Sequence, residues 1–463
     1  MKKSIISGAS IIALAVAAPA FAQQAQSSDI DQIGDDNTAT VSQQGNEGVS
    51  VINQNGDDNL AEVTQTEDPT VGSNAFNVAA NRADIDQDGD NSRARVEQNS
   101  TNPGGDSNIA TIKQNSSYDP SDNGTDSTVP SGYANNARVI QDGFDNQSNI
   151  TQDDTNGGVN TGLTGAAAYN SQDGSGHRST ITQAQVGSAA ELDPDSRTDV
   201  IQTGTDNIST ARQTRQANSL MVNQSGSANI SDAVQFRQTN DGLVSQSGSG
   251  NDSYLFQDQN NTATISQSGD SNESDVSQDS RNIALANQSG NSNKSVIDQG
   301  EIPNAPNNAD PGTDNEAELF QSGDSNDSYI NQVSGAYAYV SQSGDNNVSY
   351  INQIGAGAGN EAVANQSGDM NDNFMQQEGT GLIASLAQSG DMNDSDLMQT
   401  GDGNSADVLQ AGNMNISMIT QSGSDNTATV KQFSDSNSSM ITQSGSSNTA
   451  TVTQGTAPSA PAS

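Results

Sequence analysis

The sequence predicts an all-β protein. It reads as a two-sheet β-solenoid of stacked strand–turn–strand rungs, with parallel, amyloid-like pairing from rung to rung. Three observations predict it. Glutamines recur every eleven residues, as at Gln421, Gln432, Gln443 and Gln454. The residues leading into each one alternate with period two, the signature of a strand with one buried face. Successive strands also alternate in kind, so the full repeat is 22 residues long.

The strand element is a seven-residue unit. It reads Asn37-Thr-Ala39-Thr-Val41-Ser-Gln43, then Gly48-Val-Ser50-Val-Ile52-Asn-Gln54, then Asn59-Leu-Ala61-Glu-Val63-Thr-Gln65. The pattern returns as Asn326-Asp-Ser328-Tyr-Ile330-Asn-Gln332 and as Asn404-Ser-Ala406-Asp-Val408-Leu-Gln410. Asn, a small residue, an aliphatic residue and Gln occupy one face. Thr, Ser, Asp, Asn and Tyr occupy most of the other. The alternation in kind is Ser/Ile followed by Ala/Val: Ser28/Ile30, Ala39/Val41, Ser50/Ile52, Ala61/Val63, and again Ser417/Ile419, Ala428/Val430 near the end. Phased glutamines number 34 from Gln32 to Gln454, which makes about 17 rungs of two strands each.

The turn element fills the four residues between a Gln and the next Asn, as in Ser322-Gly323-Asp324-Ser325. Gly supplies positive φ, and Asp and Ser bond back to the local backbone. Some intervals are longer, with insertions near 66–80, 99–107, 115–134, 153–165, 184–195 and 300–314. Tyr118-Asp-Pro120 and Glu301-Ile-Pro303 are typical of their loop-like content. No proline falls inside a phased strand, as a hydrogen-bonded ladder requires.

Stacking the rungs places like over like. The expected ladder positions are Gln32, Asn37, Gln43, Gln54, Asn59 and Gln65 near the start, and Gln321, Asn326 and Gln332 further on. Gln388, Asn393, Gln399, Asn404, Gln410, Gln421, Asn426, Gln432, Asn437, Gln443, Asn448 and Gln454 continue it to the end. Each carboxamide can bond its copies about 4.8 Å above and below. A partly polar core is tolerable only when every member is satisfied, and strict register satisfies them.

Composition alone points elsewhere. Hydrophobic residues make up 30% of the chain and aromatics 3%, Trp and Cys are absent, and the net charge is −42. Such a chain would ordinarily be disordered, but disorder does not maintain a phased repeat. The acidic balance excludes a phosphate-binding surface, so nucleic acid is not an expected partner. The absence of Cys removes disulfides and thiol chemistry.

At the N-terminus, Lys2 and Lys3 precede an apolar stretch from about Ile11 to Ala18 and then Ala20-Phe21-Ala22. This reads as a Sec-type signal peptide over 1–22, cleaved after Ala22. The expected organisation is thus a signal peptide, a solenoid over 23–454, and a flexible tail over 455–463. No capping element is expected at either end of the solenoid, and exposed in-register strands are templates for another copy.

Gln32-Ile-Gly34-Asp-Asp-Asn37-Thr-Ala39-Thr-Val-Ser-Gln43 and Gln443-Ser-Gly445-Ser-Ser-Asn448-Thr-Ala450-Thr-Val-Thr-Gln454 resemble the curlin repeat, Gln-x-Gly-x-x-Asn-x-Ala-x-x-x-Gln. The resemblance covers nearly the whole mature chain. It implies a subunit of curli, the secreted functional amyloid of bacterial biofilm matrix. It also implies export through a dedicated outer-membrane pore, polymerisation with copies of itself on a surface-bound nucleator, and adhesion to surfaces or other cells. The chain departs from the usual curlin subunit in carrying many more repeats and in the insertions of its first half.

Other readings are weaker. The lone His177 takes an Asn slot, and no second His or Cys completes a metal or nucleophile set. Ser322–Asp327 invites a calcium reading, but calcium β-rolls use a nine-residue repeat with paired glycines. Solvated acidic turns that keep the chain soluble fit better. Paired threonines (Thr38/Thr40, Thr427/Thr429, Thr449/Thr451) resemble an ice-binding face on only some rungs. No apolar pocket is expected that would perturb a carboxylate for catalysis, so neither an enzyme nor a cofactor is expected. The alternative function is a monomeric β-solenoid adhesin or calcium-binding surface protein.

Overall fold

A computed structural model describes residues 26–456 apart from 46–47, 68–80, 91, 101–106, 117–134, 155–165, 186–195, 216, 301–313, 334 and 356–358. The expected signal segment with Ala22, most of each expected insertion, and all but the first two residues of the expected tail lie outside the described residues. Among those described there are 34 strands and no helix, and each strand carries one phased glutamine. The strands alternate along the chain between two parallel sheets of seventeen strands each. This is the stacked two-sheet solenoid expected from the repeat.

Two units divide the chain, Met1–Asn240 and Asp241–Ser463. In the first, strand Ser27–Ile33 pairs in parallel with Val49–Asn55, setting Ile30 beside Ile52 and Gln32 beside Gln54. In the second, Ile416–Ser424 pairs with Ser438–Ser446, setting Ser417 beside Ser439, Ile419 beside Ile441 and Gln421 beside Gln443. Each strand thus bonds the next but one, and its chain neighbour lies in the facing sheet. Parallel pairing needs such a crossover, and here the facing strand supplies it.

Register survives length changes. Leu60–Glu67 pairs with Arg93–Ser100 and keeps Gln65 beside Gln98, although 33 residues separate them. Conversely, only ten residues separate Gln257 from Gln267, and Gln332 from Gln342. Those deletions fall in the turn, and strand Thr262–Asp270 still sets Gln267 beside Gln288. A one-residue slip within a strand would turn its buried face outward, so turns absorb the difference.

The burial pattern follows the sequence alternation. In Asp394–Asp402 the inward residues are Ser395, Leu397 and Gln399; in Ser405–Ala411 they are Ala406, Val408 and Gln410. The small residue lets the sheets approach, and the aliphatic residue forms the apolar seam. Most strands are preceded by an asparagine, and interior ones such as Asn393 and Asn404 are buried as well.

Turns stack as closely as strands. Gly368 has φ +102°, and a Cβ there would lie 2.3 Å from the Gly390 carbonyl oxygen of the next rung. No side chain fits between those backbones, and the conformation itself is essentially restricted to glycine. Gly368→Ala is therefore expected to lower the unfolding free energy by about 2–4 kcal/mol. Urea unfolding followed by circular dichroism measures it, and an unchanged midpoint would refute the close turn stacking.

Candidate functional site

The chemistry of this chain is concentrated in its buried carboxamides. Within the second unit, Gln388 Nε2 donates to Gln410 Oε1 at 2.9 Å, Gln410 to Gln432 at 3.0 Å, and Gln432 to Gln454 at 2.9 Å. In the facing sheet Gln399 donates to Gln421 and Gln421 to Gln443, both at 2.9 Å. Gln321 and Gln332 belong to the same columns, donating to Gln342 and Gln353. The first unit behaves alike: Gln32 donates to Gln54, Gln43 to Gln65, and Gln54 to Gln87.

The second amide proton has its own acceptor. Gln421 Nε2 also donates to the Ser405 carbonyl, Gln432 to Ile416 and Gln443 to Thr427. That carbonyl lies sixteen residues back, at the start of the strand in the facing sheet. Each glutamine therefore ties its own sheet along the stack and the two sheets across it. The bond to the facing sheet has no spacing signal of its own in the sequence.

Asparagines run the opposite way. Asn415 donates from both its backbone N–H and Nδ2 to Asn393 Oδ1, at 3.0 and 3.1 Å. Asn437 does the same to Asn415, Asn426 to Asn404, Asn448 to Asn426, and Asn326 to Asn293. In the first unit Asn59 N–H donates to Asn37 Oδ1 at 3.0 Å. Forward, Asn326 Nδ2 reaches the Gly344 carbonyl and Asn404 Nδ2 the Gly423 carbonyl. Glutamine side chains thus donate towards the C-terminal rungs, and asparagines bond in both directions.

His177 shows what the asparagine slot requires. It is fully buried. Its Nδ1 accepts from the Asn207 backbone N–H at 3.3 Å, and its Nε2 lies 3.2 Å from the Asp173 carbonyl. Those contacts assign the proton to Nε2. The imidazole then copies the carboxamide, one acceptor towards the next rung and one donor to the residue four back. Burial lowers its pKa, against the opposing pull of the Asp173 carbonyl and the Asp206 and Asp173 charges, favouring the neutral ring that this pattern needs.

The end rungs differ from the interior. In Thr449–Gln454 the inward residues Ala450, Val452 and Gln454 are only half-buried, whereas the same positions in Thr427–Gln432 are buried. Gln443 and Gln454 each place one Nε2 proton on a carbonyl, of Thr427 and Ser438, and leave the other without an acceptor among the described residues. In the first described strand, Ser27–Ile33, Ile30 and Gln32 are likewise half-buried. Gln32 Oε1 and Gln43 Oε1 meet no donor among the described residues, although both side chains donate onwards.

Half-buried Asp275 and Asp298 and the more exposed Asp372 and Asp394 lie on the outward face of one sheet. Asp372 and Asp394 sit side by side at the starts of paired strands. Burial raises the pKa of both. The Asp396 charge adds to each and the Asp372 charge adds to Asp394, while the Asn373 backbone N–H opposes the rise at Asp372. Asp275 and Asp298 are raised for the same first reason. Among the described residues no group of His, Cys, Asp or Glu is arranged to hold a metal ion.

The model of the curlin associated repeat matches this chain four times, at residues 27–66, 312–355, 390–423 and 423–455. The first match contains the N-terminal rung and the last the C-terminal one. Comparison with curated proteins gives no match.

Two outcomes follow from the site. Gln410→Ala strips the Gln388 amide, the Gln432 carbonyl and the Asp394 carbonyl of a partner and leaves a cavity. It should cost about 3–5 kcal/mol in urea unfolding, and a cost below about 1 kcal/mol would contradict the ladder. The raised carboxylates fix the sign of the pH dependence. A folded-state pKa above the unfolded value stabilises below about pH 4, and that contribution disappears as pH rises through the folded pKa. The protein should therefore unfold at higher urea at pH 4 than at pH 7, and the double change Asp372→Asn/Asp394→Asn should narrow the gap.

Proposed function

Because the chain belongs to the curlin-repeat family, we propose that it is a secreted subunit of curli-type amyloid fibres, polymerising head to tail to build biofilm matrix and to adhere to surfaces and other cells. The observation that carries this reading is the match between its two end rungs. Gln443 and Gln454 offer amide protons where Gln32 and Gln43 offer carbonyl oxygens. The apolar seams correspond too: Ala450 and Val452 would meet Ala39 and Val41 of a second copy, and Ser439 and Ile441 would meet Ser28 and Ile30.

The contact is heterologous, so it repeats without using itself up. With Thr449–Gln454 of the Ala/Val kind as the last described strand and Ser27–Ile33 of the Ser/Ile kind as the first, the alternation is kept across the junction. Each of the two strands at the junction contributes a full ladder of backbone hydrogen bonds, as in β-strand addition. A surface-held nucleator presenting an equivalent rung would start growth. Export would use the signal segment, cleaved after Ala22, and an outer-membrane pore of the curli type. The acidic turns supply the repulsion that keeps the chain soluble before assembly.

Val452→Asp tests the reading, because no described residue of the chain covers that side of Val452. The variant should keep the β-sheet circular dichroism of the wild type and fail to form thioflavin-positive fibres. Added at a few per cent to wild-type chains, it should also stop elongation at one fibre end, since its N-terminal rung still docks. Fibre growth equal to wild type would overturn the proposal.

A further inference from the structure

We propose that Met370, Met392 and Met414 form a thioether column that binds soft, two-coordinate monovalent cations, Cu(I) and its redox-inert counterpart Ag(I). The three occupy one turn position on three successive rungs of the same edge: Ser367-Gly-Asp-Met370, Ser389-Gly-Asp-Met392 and Ala411-Gly-Asn-Met414. The rungs before and after carry Asn346 and Ser436 there.

Conformation makes methionine a surprising choice. The position is left-handed in each rung, with φ of 59°, 58° and 57°. Glycine, asparagine and aspartate tolerate that region best, and a long side chain gains nothing from it. About half of each methionine stays open to solvent, at 53%, 48% and 49%.

Register then sets the spacing. Met392 N–H donates to the Asp369 carbonyl and Met414 N–H to the Asp391 carbonyl, both at 2.9 Å. These bonds pin successive turns one strand spacing apart, about 4.8 Å. With metal–sulfur bonds as long as those of zinc–thiolate sites, about 2.3 Å, a linear S–metal–S unit spans about 4.6 Å. One cation fits between neighbouring rungs with little adjustment of flexible side chains. Thioether sulfur selects Cu(I) over hard ions. Beside the column, Asp369 and Asp391 carry carboxylates whose Oδ1 atoms accept from the preceding rung's backbone, and their negative charge favours a cation.

The test is calorimetric titration of the full mature chain with Ag(I). Serine is the replacement, because Ser325 and Ser436 already hold this position at φ 59° and so preserve the turn. Met370→Ser/Met392→Ser/Met414→Ser should weaken the tightest Ag(I) binding at least thirtyfold. Met392→Ser alone should weaken it more than either outer change, since the middle sulfur belongs to both gaps. Met398→Thr, which removes a strand-face thioether flanked by Gln376 and Thr420 in the paired strands, should leave that binding within threefold of wild type. Ag(I) affinity unchanged in the triple variant, an equal loss in the strand-face variant, or Ca(II) binding as tight as Ag(I) would each overturn the proposal.

Discussion

The structure depends on one constraint: a buried carboxamide has to find partners for two donors and an acceptor where water cannot supply them. A glutamine side chain alone in an apolar interior would be strongly destabilising. Stacked on its own copy it is satisfied, because Oε1 takes a proton from the rung before and Nε2 gives one to the rung after. The facing sheet takes the remaining proton. The arrangement works only at strand spacing and only in register, so satisfying the amide and specifying the fold are one requirement.

That constraint explains how so apolar-poor a chain orders itself. Ile, Leu and Val fill one position in four of the inward face, and a conventional core could not be built from them. Here the polar positions contribute as well: each ladder bond adds about 0.5–1.5 kcal/mol net, and a misplaced rung forfeits several at once. The steepness of that penalty enforces register across the insertions and the ten-residue intervals alike. It also explains why His177 is accepted at a buried site, since its ring reproduces the acceptor and donor of the asparagine it replaces. For the serines of the Ser/Ile strands the account is uneven: Ser295 donates to Ser274, while the Ser395, Ser417 and Ser439 hydroxyls are buried without a partner.

Much of this was legible in the sequence, because period-two alternation and phased Gln and Asn are direct images of strand geometry. The inward set at Ala406, Val408 and Gln410 could be read without coordinates, and so could the pairing of Gln421 with Gln443. What the sequence hides is direction. Nothing in the spacing says that Gln421 donates forward, that Asn437 donates back to Asn415, or that Nε2 reaches a carbonyl sixteen residues earlier. Those follow from how the two sheets face each other. The methionine turns were hidden for a different reason: Gly-Asp-Met reads as ordinary turn chemistry until φ shows which residue carries the left-handed conformation.

The central claim is that phased glutamines form buried, continuously hydrogen-bonded columns. Side-chain amide hydrogen exchange, resolved by selective glutamine labelling in NMR, measures it most directly. The Nε2 protons of interior residues such as Gln388 and Gln410 should exchange many orders of magnitude more slowly than those of a free glutamine, with Gln454 at the end of its column exchanging far faster. Uniform, rapid exchange along the whole series would contradict the account.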